Sequence, residues 1–133
     1  MPNIDWSKLK KISTILDEYK ESAVQKINQI RDEQINSGVD YNGVIFQTRP
    51  EDRENIAGGV QLASIALSQG EDFITNWIAK DNTIQVLDAP NMIGLGMAVA
   101  ALKESWIFGA RERKNQIRAA TTREEVDTLL NWP

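Results

Sequence analysis

Apolar residues in the first part of the chain recur at helical spacing. Leu9, Ile12, Leu16, Tyr19 and Ala23 follow at intervals of 3, 4, 3 and 4, and Ile27 and Ile30 extend the stripe at 4 and 3. A strict heptad would put Lys26 at the next seam position, but Ile27 takes it one residue late, so the register slips once. Asp5 can cap a helix that begins at Trp6, and Asn36-Ser37-Gly38 supplies the stop, with Gly38 as its left-handed residue. At the standard rise per residue such a helix runs roughly 48 Å. A helix of that length in a chain of 133 residues projects past a compact core or packs on another long helix, and it reads either as an amphipathic helix on its own domain or as a self-associating coiled coil. With fewer than four clean heptads, the pattern leaves both readings open.

After Gly38 the period changes. Val39, Tyr41, Val44, Ile45 and Phe46 surround Asn42-Gly43, which predicts a short hairpin or a bent strand. Thr48 and Glu51 have the spacing of a capping box, and Pro50 suits the first turn of the helix they would start. Ile56, Val60, Ala63 and Leu67 form the apolar face of that helix, and Gly70 ends it. Two β-rich runs, 73–79 and 83–87, flank Lys80-Asp81-Asn82 and predict a second hairpin. Together with residues 39–47 these strands are expected to form a three- or four-stranded antiparallel meander. The helix starting at Pro50 would cover one face, with Trp77 turned inward against it. Asp88 caps a further helix with two apolar sets: Met92, Leu95, Val99, Leu102 and Trp106, then Ile93, Met97, Ala100 and Ile107. Two such sets predict burial on two sides. Thr121-Thr122-Arg123-Glu124-Glu125 holds two overlapping capping boxes, and Val126, Leu129 and Leu130 share one face of a last short helix.

The expected fold class is α+β: a small antiparallel meander covered by a helix, two long peripheral helices and a short C-terminal helix. No linker, low-complexity tract or internal repeat interrupts the sequence. Residues 1–37 form the long helix, an oligomerisation or partner-binding segment, and 38–133 form the α+β part. Trp6 and Trp132 lie near the ends and are expected at an interface or docked on the core. The interface stripe expected between them comprises Leu9, Ile12, Leu16, Tyr19, Ala23, Ile27 and Ile30.

Composition narrows the chemistry. The chain has no cysteine and no histidine, which removes thiolate nucleophiles, disulfides, imidazole bases and the commonest metal ligands. Glu51, Asp52 and Glu54, and Glu71 with Asp72, suit helix ends better than a catalytic carboxylate pair. Asp81 and Asn82 are too few for a calcium loop. Gly58-Gly59 and Gly94-x-Gly96 lack the spacing of a nucleotide loop and are expected to admit close helix contacts. No catalytic, cofactor-binding or metal-binding residue is therefore expected, and the protein is not expected to be an enzyme. The net charge of −4 argues against nucleic acid as a partner. Arg111, Arg113, Lys114 and Arg118 read as a solvated basic helix end. No apolar run approaches ~18 residues, so no membrane insertion is expected, and no signal peptide is visible.

Several short motifs occur in a distinctive order. They are G-V-D-Y-N-G-V-I-F-Q-T at 38–48, the helix with Ile56 and Gly59-Val60, Trp77 before a hairpin, and A-A-T-T-R-E-E-V-D-T-L-L-N-W-P at 119–133, with Arg31 ahead of them. In these features the chain, from about residue 31 to 133, resembles a domain family of unknown function found in bacteriophage tail-fibre proteins and their assembly proteins. The closing Trp132-Pro133 is also similar to the ending of tail-fibre assembly chaperones. The resemblance brings no catalytic residues. It implies a tail-fibre protein as partner and a homo-oligomer, with three copies favoured because fibres are typically trimeric. It further implies action in the host cytoplasm during assembly, and a place in the virion tail if the protein is retained. The chain begins at Met1 and has no fibre shaft, so the expectation is a separate small protein that binds the fibre end. The alternatives are an integral subunit of the tail or fibre and, more remotely, a small hydrolase of host surface glycan.

Overall fold

Asp5 opens the first helix. Its carboxylate accepts from the backbone N–H groups of Ser7 (3.1 Å) and Lys8 (3.3 Å), and α1 runs from Trp6 to Ile35. The computed structural model describes residues 3–133. After α1 come β1 (Val39–Tyr41), β2 (Val44–Phe46), α2 (Pro50–Ser68), β3 (Ile74–Ile78), β4 (Ile84–Asp88), α3 (Ala89–Ala119) and α4 (Arg123–Leu130). The class is α+β, and 67% of the described chain is helical.

The turns form as their residues dictate. Asn42 (φ 52°) and Gly43 (φ 81°) both take left-handed conformations, the geometry a two-residue hairpin needs. Gly70 (φ 68°) ends α2 in a Schellman arrangement: Glu71 N–H donates to the carbonyl of Ala66 (2.9 Å) and Gly70 N–H to that of Leu67 (3.2 Å). Asp88 caps α3 through the N–H of Asn91 (3.0 Å), and Thr122 caps α4 through the N–H of Glu125 (3.2 Å).

The chain divides into two compact units, residues up to Arg31 with Phe108–Pro133, and Asp32–Ile107. In the first, Ala23, Val24 and Ile27 of α1 pack with Ala110 and Ile117 of α3, Ala120, and Val126 of α4. Tyr19, Ile30, Leu129, Leu130 and Trp132 close over that core. In the second, Val39, Phe46, Ile56, Ala63, Leu87, Met92, Leu95 and Val99 form the core, with Tyr41, Val60, Phe73 and Trp77 packed around it. The break expected at 37/38 is therefore not where the units divide. The C-terminal segment joins the N-terminal helix, because Ala23 and Ile27 find their apolar neighbours there.

Three expectations need correction. The meander does not form: there are two separate two-stranded sheets, β1–β2 and β3–β4. One backbone bond reaches from one hairpin to the other, from Lys80 N–H to the carbonyl of Ile45 (2.8 Å). β2 is only three residues long and leads at once into α2, so it parts from β3 before a ladder can grow. The cap of α2 is also displaced. Arg49 takes the N-cap place, and its N–H donates to Asp52 (3.0 Å), so the Thr48–Glu51 box is not made. The second apolar side of α3 is buried only in part: Ile93 packs half-buried on the core of its unit, while Met97, Ala100 and Ile107 are exposed. Trp77 turns toward α2 as expected but is only half-buried, close to Gly59. By length and composition α3 is long and apolar enough to cross a membrane, yet Met92, Leu95 and Val99 are spent on the core of the second unit.

Candidate functional site

Of the acidic residues singled out in the sequence, Asp52 and Asp81 are engaged in holding the fold. Asp52 accepts from Arg49 Nε at 2.7 Å, and this contact draws its carboxyl below the usual carboxylate range while raising the guanidinium. Asp81 accepts from the hydroxyl (2.6 Å) and the N–H (3.0 Å) of Thr83, and the same bonds lower its pKa. It therefore serves the β3–β4 turn. Among the described residues no group of three or more carboxylates is placed to hold a metal ion. Gly96 gives Val60 of α2 room beside α3, and Gly94 gives room to the ring of Tyr41, whose hydroxyl donates to Asn91 (2.9 Å). These glycines serve packing, as their spacing suggested.

The more informative feature is the stripe on α1, which the structure splits near Leu16. Ala23 and Ile27 lie inside the first unit's own core, with Ile30 and Trp132 half-buried on it. Trp132 packs close to Gly109. Toward the N-terminus the same stripe is uncovered, and so is Ile15 beside it: Trp6 is 72% exposed, Leu9 50%, Ile12 63% and Ile15 53%. Leu16 and Tyr19 mark the transition.

A groove of about 570 Å³ lies at this transition, walled by Ile12, Ile15, Leu16 and Tyr19 of α1 and by Thr121–Glu124 at the start of α4. Its side is fixed by Tyr19. The Tyr19 hydroxyl donates to Asp127, which raises its pKa, and the Arg123 guanidinium sits 4.4 Å from the ring centroid. Lys20 Nζ donates to the carbonyl of Arg118 (3.0 Å) and Lys114 Nζ to Asn28 (2.8 Å), tying α1 to α3 within the unit. Part of the basic segment is thus structural.

A second uncovered surface was missed in the sequence. Ile74 and Ile78 of β3 and Ile84 and Val86 of β4 share one face of their hairpin and are 63–72% exposed. The signal is present as alternation, Ile-x-Asn-x-Ile and Ile-x-Val, which marks an apolar face but not what covers it.

These features define a class: an α+β protein whose uncovered apolar surfaces are better developed than any reactive cluster among its described residues. The chain belongs to the family described as Domain of unknown function (DUF4376), which matches residues 18–129. No curated protein and no solved structure matches it.

Proposed function

We propose that this protein associates with a bacteriophage tail fibre, binding the fibre end and assisting its folding or trimerisation in the host cytoplasm. The order of motifs at 38–48 and 119–133 supports the fibre connection through the resemblance described above. The observation that carries the reading is the uncovered first half of α1. Trp6, Leu9, Ile12 and Ile15, each three residues from the next, form an exposed apolar strip that winds half-way round the helix, a surface that soluble monomers rarely leave open. Lys8, Lys10 and Lys11 border its middle, and Asp5, Asp17 and Glu18 its ends, so the complementary surface is apolar with a rim of mixed charge. A protein that covers the apolar end of an unfinished fibre with such a strip would hold its chains soluble until they trimerise.

Co-expression with the fibre gene that neighbours it, followed by affinity capture, tests this. The expected result is a stable complex that Ile12→Asp abolishes. Absence of the complex, with the wild-type chain folded, overturns the reading. Stoichiometric presence in purified virions would make the protein an integral tail subunit instead, and turnover of host surface glycan would make it a hydrolase.

A further inference from the structure

The free edge of β3 is open in a patterned way. Ala79 N–H donates to the carbonyl of Thr83 (2.9 Å), and the register runs Ile78↔Ile84, Trp77↔Gln85, Asn76↔Val86, Thr75↔Leu87. In an antiparallel ladder bonded and non-bonded pairs alternate, so Trp77 and Thr75 are the β3 residues that exchange bonds with β4. The backbone groups of Ile74, Asn76 and Ile78 therefore point the other way, to the edge. Lys80 is next in that series, and its N–H already holds the Ile45 carbonyl. The edge is engaged at one end and open over the three residues before it.

Nothing in the strand guards that edge. Residues 73–79 include no charge and no proline, and the β3–β4 ladder has no bulge. Edge strands in soluble proteins usually carry one of these devices. The sequence is also self-complementary about Asn76. Ile74 and Ile78 are equidistant from it, as are large Phe73 and small Ala79, and as are Asp72 and Lys80, which are opposite in charge and both exposed. Beside the edge lies a groove of about 800 Å³, floored by Gly58 and Gly59 and flanked by the exposed Leu62.

We propose that β3 pairs antiparallel with β3 of a second copy of this chain, about a two-fold axis at Asn76. Ile74 then lies opposite the partner's Ile78, and Asn76 opposite the partner's Asn76 with the two amides in hydrogen-bonding reach. Phe73 falls opposite the partner's Ala79, where the pairing ends because Ile45 occupies the edge at Lys80. Each of Ile74, Asn76 and Ile78 gains both of its backbone bonds. The result is a four-stranded sheet shared between two copies, with the cross-strand Ile pairs as its added apolar contact. The assembly is two-fold, whereas the tail-fibre resemblance implies three copies. The pairing does not depend on the fibre reading, and its test uses the purified chain alone.

The chain has no native cysteine, so a single introduced one reports without ambiguity. Residues facing each other in a bonded pair are about 5.5 Å apart between Cα atoms, within the ~4.4–6.8 Å that a disulfide spans. Asn76→Cys is expected to give a covalent dimer under mild oxidation, while Gln61→Cys on the exposed face of α2 stays largely uncoupled. Wild-type protein is expected to sediment with twice the chain mass. Asn76→Pro removes an edge N–H and no β3–β4 bond, so it should give the chain mass with unchanged circular dichroism. Should that variant unfold, Asn76→Lys replaces it, since it sets like charges face to face. A monomeric or trimeric wild type, an Asn76→Cys protein no more cross-linked than the control, or a folded Asn76→Lys protein of unchanged dimer mass would each overturn the pairing.

Discussion

Thr48 shows how one side chain decides a junction. It is fully buried; its hydroxyl donates to the carbonyl of Ile35 (2.6 Å) and accepts from Gly38 N–H (2.9 Å). Both partners lie at the exit of α1, where terminal carbonyls lack helical partners. Arg53 completes the junction, donating to the Thr48 carbonyl (2.6 Å) and to Asn36 (2.7 Å). Thr48→Val keeps the shape and orphans the buried Ile35 carbonyl and the half-buried Gly38 N–H, and should cost about 1–3 kcal/mol. Urea unfolding at unchanged slope measures it; a loss below ~0.5 kcal/mol would show that water replaces the hydroxyl. The spacing Thr48-x-x-Glu51 marked this residue as important, but for the wrong helix end. A capping box and a tertiary staple look alike in sequence, because a hydroxyl has one donor and two lone pairs whichever helix it serves.

At the scale of the element, α1 is one helix with two fates. Its 3–4 spacing made the helix and its apolar face legible; which part of the face the chain itself covers was not, since every position in the stripe looks equally apolar. Ile27 is fully buried and Ile12 largely exposed. Ile27→Asp should therefore collapse the first unit, because a buried unpaired carboxylate costs several kcal/mol. Ile12→Asp should leave thermal unfolding within ~0.5 kcal/mol of wild type. Parallel melts followed by circular dichroism separate the two. A strong loss for Ile12→Asp would show that the strip is part of the protein's own core.

For the whole molecule, the net charge of −4 and pI near 4.9 outweigh the local basic segment. Arg111, Arg113, Lys114 and Arg118 bring positive charge to α3, but Lys114 is bonded to Asn28. The protein should pass through a heparin column at physiological salt, where polyanion binding depends on several free cations. Retention that falls steeply with added salt would establish a phosphate-binding face on α3.

Sequence alone determined what depends on neighbours along the chain. The helix caps at Asp5, Asp88 and Thr122, the left-handed turns at Asn42-Gly43 and Gly70, and the second hairpin follow from residues a few positions apart, and so does the α+β class. Tertiary structure decided what depends on distant partners. It set the division of the stripe at Leu16, the transfer of residues 108–133 to the α1 unit, and the exposure of the β3–β4 face. It also decided the failure of the meander: local pattern favours strands at 44–46 and at 74–78, but only their placement in space limits their contact to one bond. Alternation identifies a strand with one apolar face; whether a helix, another strand or a second molecule covers that face is settled by packing, which no short window of sequence contains.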